Sequence, residues 1–317
     1  MWKSFLCVAS FFGYAFALQT STTVKDSTRP TLCISLAAFE EPEFIDLLLA
    51  NAFAFTASDT KIALHLNALS SYEQERIDAW NSDRVVVTKQ RISVVRFQGS
   101  ILAAHMENAW ALEARWPGKC GYYLMQASNM MWVKKGVEAY VDKYKGYSRL
   151  LTTKGPWGNA FRHSFYDYML YNGRHVHGRT FPEGSFFPMQ TVLKFGKLLK
   201  GYLAKKGMIF RSVVKAKAIL EASWLATYAL NFDDPSLLSR GSDHWLCYRE
   251  LWHDSVQEED IRKIISNEPQ FEDTFAVKRI NRDLTNPVTK YVASLSAFNL
   301  DAVKKPTANL TAHKRIK

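Results

Sequence analysis

The chain has little cysteine: four residues in 317, at Cys7, Cys33, Cys120 and Cys247. No Cys-x-x-Cys and no Cys/His spacing suited to zinc occurs, so neither a disulfide scaffold nor a zinc-held fold is expected. Without Cys7, which falls in an N-terminal targeting segment, three cysteines remain, enough for one bridge and a free thiol. No G-x-G-x-x-G follows the first predicted strand and no P-loop occurs, which removes the common nucleotide fingerprints. No Asp-x-Asp stands at the end of a predicted strand. There is no internal repeat and no low-complexity run. No apolar stretch reaches the ~20 residues that a membrane span needs. Phe5–Leu18 is shorter, and Phe44–Phe55 is interrupted by Asp46 and Asn51.

What is present begins with a targeting signal. Lys3 precedes the apolar run, and Ala15-Phe16-Ala17 is a small-x-small cleavage pattern. Residues 1–17 therefore read as a signal peptide, with a short retained anchor as the alternative. Membrane association is expected only if that segment is retained. The remainder is expected in the secretory pathway (ER or Golgi lumen) or secreted. Residues 18–30 are Thr/Ser-rich and read as a linker, 31–295 as one catalytic-sized domain, and 296–317 as a basic tail containing a single glycosylation acceptor, Asn309-Leu310-Thr311.

Apolar residues make up 47% of the chain, which excludes a disordered protein, and the net charge is +11. The excess is dispersed over Lys194, Lys197, Lys200, Lys205, Lys206, Arg211, Lys215 and Lys217 and over the tail. A solvated helix face accounts for such a distribution, with attraction to phosphates or anionic surfaces as the alternative. No aromatic-basic module matches a nucleic-acid binding mode, and a secretory route argues against that partner.

The first half alternates. Strand patterns at Thr31–Ala37, Lys61–Leu66, Arg84–Val87 and Tyr122–Gln126 are each followed by a helical pattern: Pro42–Phe55, Tyr72–Trp80, Gly99–Trp116 and Lys135–Tyr144. Repeated β-α units predict an α/β, Rossmann-like fold whose mostly parallel central sheet is flanked by helices. Ligands in such sheets bind beyond the carboxyl ends of the strands, where Asn67 and Asn129 fall. Gly146–Gly178 reads as loops around one short helix. Its His163, His175 and His177 are not spaced as three ligands on one helix face and have no carboxylate beside them. A helix begins at about Pro188, another covers Val213–Leu230, and EEDIRKII from Glu258 is a third.

Two segments carry the chemistry. In LEASWLATYALN, Glu221 opens an otherwise apolar helix, a setting that raises a carboxyl pKa toward the range of a general base. In FAVKR, Lys278 and Arg279 end a short apolar run as adjacent cations able to neutralise a departing phosphate. Together they suggest group transfer from a phosphate-activated donor to a hydroxyl. Glu183, in FPEGSFFP, is the other carboxylate in apolar surroundings; it is the fallback base, and otherwise reads as an acceptor contact or a structural loop acid. Asp233-Asp234 before Pro235 are candidate metal ligands, though adjacent acids before proline more often end a helix.

The order of these motifs resembles the core 2 / I-branching β-1,6-N-acetylglucosaminyltransferase family, in divergent form, over roughly residues 31–290. IALHLN is similar to that family's strand ending in His-x-Asp, with Asn67 at the Asp position. VVRFQGSILAAHMENAWAL, YYLMQASNMMWVKKGVEAYV, EGSFFPMQTVLKF, LEASWLATYAL and FAVKRI resemble further family segments in the same order. The resemblance implies a glycosyltransferase A-type fold, a nucleotide-sugar donor (UDP-linked), inversion at the anomeric carbon and no metal cofactor. It implies transfer of N-acetylglucosamine or a related hexose or pentose to a glycan or glycoprotein acceptor. It places Glu221 as catalytic base and Lys278 on the donor pyrophosphate, with Arg279 adjacent, Arg249 (or Arg240) as a second donor cation and Asn67 near the nucleotide. Glu183, Asn129 and Trp224 fall on the acceptor side. Three departures stand out: Asn67 for Asp, ASNMMW without the family's Asp and Pro, and no multi-disulfide framework. A metal-dependent transferase using Asp233 and Asp234 is one alternative. A non-catalytic carbohydrate-binding protein is the other, its nine Trp and fourteen Tyr suiting sugar stacking.

Overall fold

The computed structural model describes residues 30–95, 99–146, 149–150, 165, 178–180, 184–207, 220, 223–234, 236, 246–248 and 256–300. The alternation seen in the sequence becomes β1 (Thr31–Ala38), α1 (Pro42–Phe55), β2 (Lys61–Leu66), α2 (Gln74–Trp80), β3 (Val85–Val87), α3 (Ser100–Arg115) and β4 (Cys120–Ala127). Apolar runs such as CISLA and IALHL are buried on both faces, as parallel strands covered by helices must be. β2 pairs parallel with β1 and β3, and β4 pairs parallel with β1 on its other side.

The chain continues through β5 (Met130–Trp132), α4 (Val137–Tyr144), β6 (Arg149–Leu150), β7 (Gly178–Arg179), β8 (Phe186–Pro188) and α5 (Met189–Lys205). Then come α6 (Trp224–Tyr228), running into a π-helical turn over Ala229–Asp233, β9 (Cys247–Tyr248), α7 (Glu258–Ile265), β10 (Ala276–Lys278) and α8 (Pro287–Leu295). β8 adds to β4 antiparallel, giving a five-stranded sheet in the order β3-β2-β1-β4-β8. A second sheet runs β5-β10-β9. The architecture is thus α/β with a mostly parallel central sheet. No helix among the described residues is long and apolar enough to cross a membrane.

Two apolar layers flank the central sheet. α1, Trp80 of α2 and Val137–Val141 of α4 pack with Ile34, Leu36, Leu64 and Leu124 on one face. α3, α5 and α6 pack with Cys33, Ala63, Tyr123 and Met125 on the other. Cys33 and Cys120 form a disulfide between the adjacent strands β1 and β4. The outer edge of β3 is closed by its own preceding turn. Ser82 N donates to Val85 O, Val85 N to Ser82 Oγ, and Val87 N to Asn81 Oδ1. This leaves little open backbone at an edge that would otherwise invite pairing with another chain.

Three differences from the sequence reading have physical causes. β5, β8 and β10 are three residues long, too short to show an alternation. Phe186-Phe187-Pro188 enters the sheet as an edge strand, where proline is tolerated because an outward N–H is not needed. Of the helix expected over Val213–Leu230, residues 213–219, 221 and 222 lie outside the described residues; it is α-helical over Trp224–Tyr228 and widens to a π-helix over Ala229–Asp233.

Candidate active site at the sheet switch point

The strand order turns at β1. From β1 the chain moves to β2 and β3 with α1 on one face, then returns through α3 on the other face to β4. The switch point, where sheets of this kind bind ligands in a crevice, thus falls between the carboxyl ends of β1 and β4. Phe39 and Glu40 follow β1, and Ser128 and Asn129 follow β4.

β10 brings the cations to this crevice. Lys278 is its last residue and pairs with Met130. Beyond it, the backbone N–H groups of Arg279 and Ile280 both donate to Asn129 O, at 3.0 and 3.1 Å. Arg279 has φ +73°, a left-handed conformation uncommon for a residue with a side chain. Both Lys278 and Arg279 are half-buried. The turn they meet is braced from below. Gln126, 1% exposed, donates to Met130 O and accepts from Trp132 Nε1. Asn51 of α1 pairs with both backbone groups of Trp132.

A third cation, Arg282, follows on the same segment. Arg282 Nε donates to Glu40 Oε1 at 2.7 Å, and its guanidinium carbon lies 4.9 Å from the centre of the Phe39 ring. Glu40 is buried and its other oxygen accepts from Phe39 N. Phe39 itself is 49% exposed. Sequence reasoning did not find Glu40 or Arg282. They stand 242 residues apart, and no local pattern links them.

The loop after β2 forms the neighbouring wall. Asn67 Oδ1 accepts from Leu69 N and Val94 N, and Asn67 Nδ2 donates to Val94 O. Its side chain thus shapes the loop. Arg91 donates to the carbonyls of Leu66, Asn67 and Ser70. His65, on β2, accepts from Ile92 N and is buried. Burial, then the nearby Arg91 charge, lower its pKa from 6.5 to about 4.

The structure thus brings together Asn129, Lys278 and Arg279, with Asn67 on the adjoining loop. Trp224 does not line the crevice. It is fully exposure-free, its ring 4.5 Å from that of Phe165 in the core on the α3 side, so its bulk fills that core. Asp233 accepts from Thr191 Oγ1 and Lys194 Nζ of α5, and Asp234 accepts from Ser236. α5 starts right after Pro188, which pairs with Tyr122 near the start of β4, whereas Lys278 approaches the end of β4. Among the described residues no group of three or more His, Cys, Asp or Glu side chains is placed to hold a metal ion. Glu221, Glu183, Arg249, Arg240, the loop histidines and the targeting segment lie outside the described residues. On either side of Glu221 in sequence, Leu220 and Ser223 are buried, with Ser223 N bonded to Leu220 O.

α6 is held by a close approach. Thr227 Oγ1 accepts from Gly178 N and donates to Gly178 O. A Cβ at Gly178 would stand 2.7 Å from the Ala226 backbone, so only glycine fits there.

Comparison with protein-family models and with curated proteins finds no match.

Proposed function

We propose that this chain is an inverting glycosyltransferase of the glycosyltransferase A type, moving a sugar from a nucleotide-sugar donor, UDP-linked, to a hydroxyl of a glycan. The observation that carries the reading is the pinning of Lys278 and Arg279 to the Asn129 turn at the switch point, with Arg282 alongside. Cations fixed by backbone bonds at a strand-end crevice are suited to a diphosphate whose charge grows as it departs.

In the proposed reaction the acceptor oxygen attacks the anomeric carbon from the face opposite the leaving group. The new C–O bond forms as the bond to the donor phosphate breaks. The hydroxyl proton passes to Glu221, and the electron pair leaves with the nucleoside diphosphate, held by Lys278 and Arg279. One displacement inverts the carbon, by the logic of inverting hydrolysis with the sugar hydroxyl in place of water. The Cys33–Cys120 bridge supports the secretory part of the reading, since such bonds persist in oxidising compartments.

The test is a donor screen. Purified protein is incubated with a panel of nucleotide-sugars, with and without EDTA, and release of the nucleoside diphosphate is followed. Turnover of one donor that persists in EDTA supports the reading. Turnover abolished by EDTA and restored by manganese favours a metal-dependent transferase. No turnover or binding of any donor removes the transferase.

A further inference from the structure

Arg282 is held from two directions. Its Nε donates to Glu40 Oε1 at 2.7 Å, and its guanidinium carbon lies over the Phe39 ring, 4.9 Å from the ring centre. Both holding residues are fixed in turn. The second oxygen of Glu40 accepts from Phe39 N at 2.8 Å. Glu40 O accepts from Tyr72 OH at 2.9 Å, and Phe39 O from Ser70 Oγ at 3.4 Å.

The guanidinium is only partly used. An arginine that fully serves a carboxylate sets two parallel N–H groups against its two oxygens. Here Nε alone reaches Glu40, and the other carboxylate oxygen is taken by Phe39 N. Arg282 forms no further hydrogen bond among the described residues, and its side chain is 42% exposed. Its terminal amino groups are therefore open donors on a charged group whose orientation is already set. Arg282 stands four residues after Lys278, a stretch that reaches at most about 14 Å. That stretch crosses the switch point, from Asn129 after β4, which accepts from Arg279 N and Ile280 N, to Glu40 after β1.

We infer that Arg282 is the second cation for the donor diphosphate, meeting a phosphate with the outer edge of its guanidinium, and that Glu40 and Phe39 are the positioning residues that hold it there. The inference rests on the proposed transfer. It gives Arg282 the part that the family resemblance assigns to Arg249 or Arg240. The planar fork of an arginine matches two oxygens of one phosphate, which a lysine ammonium does not. A side chain fixed before the ligand arrives loses less freedom on binding.

UDP affinity of the full chain is measured by calorimetry for wild type, Arg282→Gln, Glu40→Ala and the double variant, each shown to melt cooperatively above the titration temperature. Arg282→Gln is expected to weaken UDP by about one to two decades, as for one lost charge-assisted contact. Glu40→Ala is expected to weaken UDP about tenfold, although it removes a negative charge, because Arg282 loses its orientation. In the Arg282→Gln background the same change is expected to have no effect. Uridine, which lacks phosphate, is followed by saturation-transfer NMR and is expected to bind all four proteins alike. If Glu40→Ala fails to fold, Arg282→Lys takes its place, keeping the charge without the fork and recovering only part of the affinity. A folded Arg282→Lys that matches wild type overturns the inference. So does unchanged UDP affinity in Arg282→Gln, an equal loss for UDP and uridine, or additive effects of the Glu40 and Arg282 changes. In those cases a UDP affinity that still depends on Lys278 leaves the diphosphate reading standing. Wild-type protein that binds no UDP removes that reading and this inference with it.

Discussion

Arg282 and Glu40 form an ion pair of 2.7 Å across the mouth of the switch-point crevice, joining the segment after β10 to the segment after β1. The carboxylate side is 1% exposed and the guanidinium side 42%. Removing the cation leaves a buried charge with a reduced set of partners. Arg282→Ala is therefore expected to lower stability by roughly 1.5–3 kcal/mol. Urea denaturation checks this, and a double-mutant cycle with Glu40→Gln isolates the pair. Additive effects of the two changes would mean that the contact contributes nothing.

Glu221→Gln is expected to keep the fold and donor binding while transfer falls ~10²–10⁴-fold. The change removes the proton acceptor at nearly constant shape. Single-turnover transfer rates and donor affinity, measured on the same preparation, separate the two effects. Near-wild-type turnover would move the role of base to Glu183.

Lys278→Ala is expected to weaken donor and UDP affinity by about one to two decades, the equivalent of losing one charge-assisted contact. Lys278 follows Val277 on β10, and its backbone position is set by pairing with Met130. The variant should therefore fold normally. Affinity equal to wild type would detach the crevice from the diphosphate.

His65 makes stability depend on pH. Its folded pKa, about 4, lies below its ordinary value of 6.5, so between these values the unfolded chain binds the proton more readily. Its contribution is fully present above about pH 6.5 and is lost as the pH falls through 4, up to roughly 3 kcal/mol in all. The cause is burial, which disfavours the charged imidazolium, then the nearby Arg91 charge, and protonation also removes the Nε2 acceptor of the Ile92 N–H. Urea midpoints at pH 7, 5.5 and 4 measure the slope, and His65→Gln should flatten it. An unchanged slope in the variant would assign the acid sensitivity elsewhere.

The Cys33–Cys120 bond closes a loop with a sequence separation of 87. By chain entropy alone such a loop stabilises by about 4–5 kcal/mol. The Cys33→Ala/Cys120→Ala variant is expected to lose stability on that scale, read from urea midpoints. Because Cys33 is wholly buried and Cys120 nearly so, reductant should act on the native protein only as fast as the sheet opens. Rapid reduction of the folded protein would contradict that burial.

The repeated part of the fold was legible because β1, β2 and β4 are long apolar runs separated by amphipathic helices, so that period and length agree. Helices at Pro42–Phe55 and Glu258–Ile265 fall where their patterns place them. The rest was hidden by length and distance. Met130–Trp132 and Ala276–Val277 are apolar at every position and carry no period, and their mutual pairing makes each a strand. The cations of FAVKR were legible as a pair, and so were the strand-end positions of Asn67 and Asn129. That the Asn129 carbonyl, not its side chain, receives Arg279 was not legible, since carbonyl groups leave no mark on residue identity. Trp224 looked available because aromatic residues suit both sugar faces and cores, and only packing against Phe165 separates the two.

The bridge between β1 and β4 also sets an order of events. A chain is made from its N-terminus. Cys33 emerges with the first strand, while its partner follows only after β2, β3 and α3 have been synthesised. The first thiol must therefore wait for its partner through the making of about a third of the domain. Oxidation can seal the pairing of β1 with β4 once it exists, but it cannot guide the strands that come between.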